Sequence, residues 1–153
     1  METIVVKFGG TSLASAGQIR KAADIIRSSP ARRYVVCSAP GKREKGDTKV
    51  TDLLLQSYAS ASQDGNFAHS LAAVEARFTE IVEELGVDFD LAGEIAAISR
   101  HLNEVCERDY MVSRGEYLNS KLVAAYLGFP FVDPADCVCF DEDGELDAEE
   151  TNR

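Results

Sequence analysis

Two short apolar runs constrain this chain more than anything else in it. They are TIVVKF at positions 3–8 and RYVVCS at 33–38, with one amphipathic stretch between them. Both are β-branched and nearly continuous in apolar character, which reads as strands covered on both faces. Between them Ser15 and Gln18 form an S-x-x-Q capping box. Ile19, Ala22, Ala23 and Ile26 follow at helical spacing, and Pro30 closes the helix. Strand, helix and strand joined by short connections make a βαβ unit, so the two strands should be parallel. The fold class is α/β.

Beyond the second strand, APGKREKGDTK (39–49) is a polar loop, and a helix is expected from Val50 to Ser62. Phe67, Leu71, Val74, Phe78, Ile81, Val82 and Leu85 trace one face of a long helix that ends at Gly86. Leu91, Ile95, Ile98, Leu102 and Val105 predict another beside it. Together they read as an antiparallel helical pair inserted into the α/β pattern. Ser113 is expected to open a further helix to Leu127, stopped by Gly128 and Pro130. FPFVD and DCVCF read as short strands, and DEDGE (141–145) carries an Asp-Gly turn signal. The closing LDAEETNR begins as a helix N-terminus and stops, so the expectation is that these residues are the front part of something longer.

Charge narrows the function. Sixteen basic against 26 acidic side chains give a formal charge of −10, which argues against a broad nucleic-acid or anionic-membrane surface. An anionic ligand would need a local cluster of donors. No apolar run approaches the ~20 residues of a membrane span, the first residues show no secretory-signal pattern, and a cytoplasmic location is expected. Cys37, Cys106, Cys137 and Cys139 do not form a disulfide framework and read as buried free thiols rather than as a metal pair. His69 and His101 stand alone in helical patterns and read as structural or exposed. DEDGE has Cys139 where a calcium loop needs its first Asp, so no metal site is expected.

Several residues invite a chemical reading. A lysine in a buried strand, Lys7, carries a desolvation penalty unless an anion pairs with it, and it stands at the strand's carboxyl end, where open α/β sheets bind ligands. Gly9 and Gly10 then let phosphates approach backbone N–H groups near a helix N-terminus. The alternative is an edge lysine in water before a tight turn, and the residues leave both open. Neither a Walker nor a dinucleotide motif is present. Ser38, Ala39 and Gly41 end the second strand similarly, and two small-residue turns on one rim favour a concave site. Lys42, Arg43, Lys45 and Lys49 either guide an anion there or form a solvated loop. Thr51 fits a helix N-cap, and Ser113-Arg114-Gly115-Glu116 fits a second capping box. Gly115 inside that turn costs about 1 kcal/mol relative to Ala, which implies a close approach to the backbone there.

Taken together, KFGGTS, VVCSAPG, KVTDLLL and SRGEYLNSKLVAAYLG resemble aspartate kinase, of the amino acid kinase superfamily, in order across the whole chain. The resemblance implies a three-layer αβα sandwich with a mainly parallel sheet, here incomplete. Residues 1–153 would be the N-terminal, substrate-binding lobe, without the nucleotide lobe and the regulatory domains. It further implies ATP-dependent phosphorylation of the side-chain carboxylate of L-aspartate, the first step toward lysine, threonine and methionine. Lys7 would contact the transferring phosphoryl group, and Phe8, Gly9, Gly10 and Ser38 would border the ATP phosphates. Ala39 would border the aspartate, Thr51 would contact it, and Glu116 would bind its α-amino group. ATP would act as its Mg²⁺ complex, with no tightly bound cofactor. The full-length protein would be a homo-oligomer, and the lobe alone inactive. Rival readings keep the fold with a glutamate-type acceptor, or make the chain a non-catalytic ligand-binding or assembly module.

Overall fold

The computed structural model describes residues 3–153. Strand β1 (Ile4–Phe8) and strand β2 (Arg32–Cys37) pair in parallel, with Lys7 opposite Val36 and Phe8 opposite Cys37. Helix α1 (Ala16–Arg27) connects them, and the Ser15 Oγ accepts the Gln18 N–H at its start as the capping box requires. The βαβ unit is therefore present. Five further helices follow: α2 (Val50–Gln63), α3 (Ala68–Leu85), α4 (Leu91–Glu104), α5 (Arg108–Leu127) and the short α6 (Ala148–Thr151).

The core lies on one face of the sheet only. Phe8, Val35 and Cys37 join Leu13, Ile19, Leu54, Val74, Phe78, Ile98 and Leu118 in one apolar cluster. Alternate strand residues point the other way, and there Val5 and Tyr34 are 65% and 63% exposed. The expectation of strands covered on both faces is corrected for the described residues. So is that of a buried Lys7, which alternation places on the open face and leaves exposed.

The helices match their sequence signals closely, because apolar spacing and stop residues agree. Gly86 caps α3 and Gly128 caps α5 in the left-handed region, at φ 63° and 73°. The five-residue turn from Gly86 to Asp90 returns α4 against α3, as expected of the inserted pair. One boundary differs. Helix α5 begins at Arg108, five residues before Ser113, directly after Cys106 breaks the chain at φ 52°. Ser113 and Glu116 are thus mid-helix, and the Ser113 hydroxyl donates to the Tyr110 carbonyl instead of capping.

FPFVD and DCVCF are not strands. A strand needs a partner, and residues 129–133 run without one, leading into a 3-10 turn at Pro134–Asp136. Phe140 and Leu146 form an isolated antiparallel bridge around the DEDGE turn. Cys137, expected to be buried on a strand, is exposed at the end of that 3-10 turn; Cys37 is buried, and Cys106 and Cys139 are half-buried. His69 is exposed, while His101 stacks on Tyr110 with ring centroids 3.6 Å apart. Among the described residues no helix is long and apolar enough to cross a membrane.

Candidate active site

Parallel strands end on the same rim, so the turns after β1 and β2 meet. The Ser38 N–H donates to the Phe8 carbonyl at 3.1 Å, and the Gly41 N–H donates to the Gly10 carbonyl at 2.9 Å. Contact is so close that neither glycine tolerates a side chain. A Cβ on Gly10 would lie 2.9 Å from the Ala39 carbonyl oxygen, and one on Gly41 would lie 2.7 Å from the Gly10 carbonyl carbon. Gly9 is different: a Cβ there meets nothing within 4 Å, so its backbone borders open space. A 3-10 turn, Gly10–Leu13, separates the glycines from α1, which starts at Ala16 as the Ser15 capping box predicts.

Lys7 reaches across this rim. Its Nζ donates to the Ser38 Oγ at 3.2 Å, which holds the ammonium at the carboxyl ends of both strands. Phe8, one residue on, is half-buried at the margin of the core.

Helix α5 supplies the floor. Gly115 faces the second turn, where a Cβ would sit 2.7 Å from the Ala39 Cβ, 3.3 Å from Leu54 Cδ1 and 3.5 Å from Val50 Cγ1. One helical turn later Asn119, fully buried, donates its Nδ2 to the Ser38 carbonyl at 2.7 Å. Its Oδ1 is buried without a partner among the described residues. Asn119 is absent from the residues singled out by sequence. The available signal was a polar side chain at i+4 from Gly115, on the face that carries Leu118 and Leu122 into the core.

Thr51 and Glu116 flank the Val50–Gly115 contact. Thr51 is half-buried in the first turn of α2, whose cap position is Lys49, so the N-cap reading of Thr51 is corrected. Glu116 is exposed and makes no ion pair among the described residues. With the capping-box role removed, no ion-pair partner among the described residues occupies its carboxylate. It lines a cavity of about 570 Å³ between β2, α5 and residues 129–135, together with Val36, Cys37, Tyr117, Phe131 and Asp133. Burial pushes the Cys37 thiol up to about 11, against the opposing Ser120 hydrogen bond, so at neutral pH this thiol is uncharged.

The basic loop divides. Arg43 is tied to Asp47 and Glu80 at 2.9 and 2.6 Å and is not free to guide an anion, whereas Lys42, Lys45 and Lys49 are exposed.

The model of the amino acid kinase family matches residues 2–153. The chain belongs to the amino acid kinase family. Within it, aspartokinase 3 of Bacillus subtilis is 37% identical over 147 residues, 89% of this chain and 32% of that protein. The crystal structure of aspartate kinase from Clostridium acetobutylicum superposes with a TM-score of 0.95 at 38% identity, covering 99% of this chain and 35% of that one. Escherichia coli aspartokinase III, in complex with aspartate and ADP, shares the fold at a TM-score of 0.75 and 22% identity, over 98% of this chain and 36% of its own. The chain thus spans about a third of the length of the relatives it matches. The amino acid kinase fold accounts for the parallel sheet, and its carboxyl rim is where the family resemblance lies in KFGGTS and VVCSAPG.

Proposed function

We propose that this chain is the substrate-binding lobe of an aspartate kinase, which transfers the γ-phosphoryl group of ATP to the side-chain carboxylate of L-aspartate. One observation carries the reading: Lys7, the two glycine turns and Gly115 of α5 meet at the segment 38–41, and Glu116, the next residue along α5, lines the cavity beside β2. The high identity and superposition with the Bacillus and Clostridium enzymes support it.

In this reading aspartate lies near Thr51 and Ala39, with its α-ammonium paired to Glu116. Its side-chain carboxylate is ionised at neutral pH and needs no general base. A carboxylate oxygen attacks the γ-phosphorus in line, and a new P–O bond forms. The bond from the γ-phosphorus to the β,γ-bridging oxygen breaks, and ADP leaves with that electron pair, giving an acyl phosphate. Lys7 offsets charge on the transferring group, while Phe8, Gly9, Gly10 and Ser38 present backbone and hydroxyl groups to the phosphates. ATP enters as its Mg²⁺ complex. We assign the full-length protein to the cytoplasm as a homo-oligomer, and the 153 residues alone to an inactive lobe. The exposed Val5 and Tyr34 face and the fractional coverage of relatives support the lobe assignment.

A hydroxamate assay of the full-length protein with MgATP and a panel of aspartate, glutamate and N-acetylglutamate tests the reading. Aspartate-dependent acyl phosphate is expected. Phosphorylation of another acceptor with aspartate inert would overturn it, as would robust turnover by residues 1–153 alone for the lobe assignment.

A further inference from the structure

Both glycine turns rest on a single side chain from the inserted helical pair. Arg77 lies in the middle of α3 and is 5% exposed. Its Nη1 donates to the Asp47 Oδ2 at 2.7 Å and to the Thr48 carbonyl at 3.3 Å. Its Nη2 donates to the Ala14 carbonyl at 3.1 Å and to the Gly41 carbonyl at 3.0 Å. Ala14 follows the 3-10 turn that Gly10 opens, and Gly41 in turn donates its N–H to the Gly10 carbonyl. Arg77 therefore grips the far side of both turns at once. Asp47 is itself held by the Arg43 backbone N–H and by its Nε, both at 2.9 Å.

We propose that Arg77, aligned by Asp47, is a positioning residue that fixes the two glycine turns against each other and so sets the spacing of the phosphate-facing rim. The proposal rests on the phosphoryl-transfer reading above. Arg77 does not touch the ligands: all four Nη hydrogens are committed to the protein, and its Nε is buried without a partner among the described residues. A planar fork is required, because four acceptors from three chain segments lie around one guanidinium, and an ammonium offers three donors from one point. Rim spacing matters because the Gly10–Gly41 contact leaves no slack for a Cβ, and misplacing reacting groups by about 1 Å costs on the order of 10²-fold in rate.

The test uses the full-length protein with Arg77→Met, Arg77→Lys and Asp47→Asn, the last keeping shape at a 12% exposed side chain. Steady-state kinetics well below the melting temperature are combined with amide exchange at Gly10 to Ser12 and at Gly41. Arg77→Met is expected to lower kcat at least tenfold and to raise KM for ATP, with KM for aspartate within about twofold. Arg77→Lys should retain more of kcat than Arg77→Met, Asp47→Asn should lower kcat as Arg77→Met does, and amide exchange at the rim should quicken. A lowered melting temperature with kcat and both KM values unchanged would overturn the proposal, since that is all a merely structural arginine predicts. If the unsubstituted protein does not phosphorylate aspartate, the activity reading fails separately. The rim claim is then read from exchange alone: faster at Gly10 and Gly41 in Arg77→Met supports it, and unchanged rates overturn it.

Discussion

Replacing Gly115 by alanine sets two known effects against each other. In an open helix the change would stabilise by about 1 kcal/mol, because glycine is the poorer helix former. Here the new methyl would stand 2.7 Å from the Ala39 Cβ, with Leu54 and Val50 close on its other sides. Carbon atoms rest at about 3.5–4.0 Å, so α5 or the second turn must move by roughly 1 Å. Overpacking of this kind costs about 1–3 kcal/mol, which leaves a net loss of up to ~2 kcal/mol after the propensity gain. At ~2–4 °C per kcal/mol for a domain of this size, the melting temperature should fall by up to ~8 °C. Gly17→Ala is the control: it is exposed in α1, its Cβ would meet only the Ser15 Oγ at 3.9 Å, and it should melt no lower than the parent. The shift also carries Ala39 and the neighbouring Glu116 out of place, so kcat/KM should fall by on the order of 10²-fold. Thermal melts and kinetics of the two variants decide the matter. A Gly115→Ala protein that melts higher and turns over normally would refute the close-approach argument.

Removing the Asn119 side chain as Asn119→Ala strands the Ser38 carbonyl and should cost about 1–3 kcal/mol in urea unfolding, where an unchanged midpoint would contradict the assigned bond. The hydrogen bonds from Arg43, with the nearby Arg77, hold the Asp47 carboxyl well below the usual carboxylate range against the opposing effect of burial. That stabilisation is full above the unfolded value of ~3.9 and is lost as pH falls below it toward the folded value. The stability gap between the parent and Asp47→Asn should therefore narrow below about pH 4, and a gap constant from pH 6 down to 2.5 would contradict this. With its thiol pushed up to about 11, Cys37 should resist a disulfide reagent at pH 8 until the chain unfolds, while exposed Cys137 reacts at once. Early labelling of Cys37, seen by peptide mapping, would show that β2 opens readily.

Sequence reasoning located the elements where two local signals coincide. Helix α1 has both its capping box and its apolar stripe, and α3 has its stripe and Gly86. It failed where a local pattern had a second meaning. Ser113 and Glu116 spell a capping box, yet Tyr110 and Met111 already belong to α5, and no local rule says which serine starts a helix. FPFVD has strand composition, but strands form between segments, and its composition names no partner. For the site, glycine and lysine positions were legible because turns and strand ends are local features. Asn119 and Arg77 were not, since their roles consist of bonds to residues 81 and 63 positions away. Lys7 departs from its sequence reading for a geometric reason: strand alternation leaves it exposed, and Ser38 rather than a core environment holds it at the rim.

The central claim is that Lys7 faces the transferring phosphoryl group. Steady-state kinetics of Lys7→Met in the full-length protein, with MgATP and L-aspartate, test it most directly. Losing one positioned charge at a developing oxyanion should lower kcat by about 10²–10³-fold, with KM for aspartate within roughly twofold of the parent. A Lys7→Met protein with unchanged kcat would contradict the account.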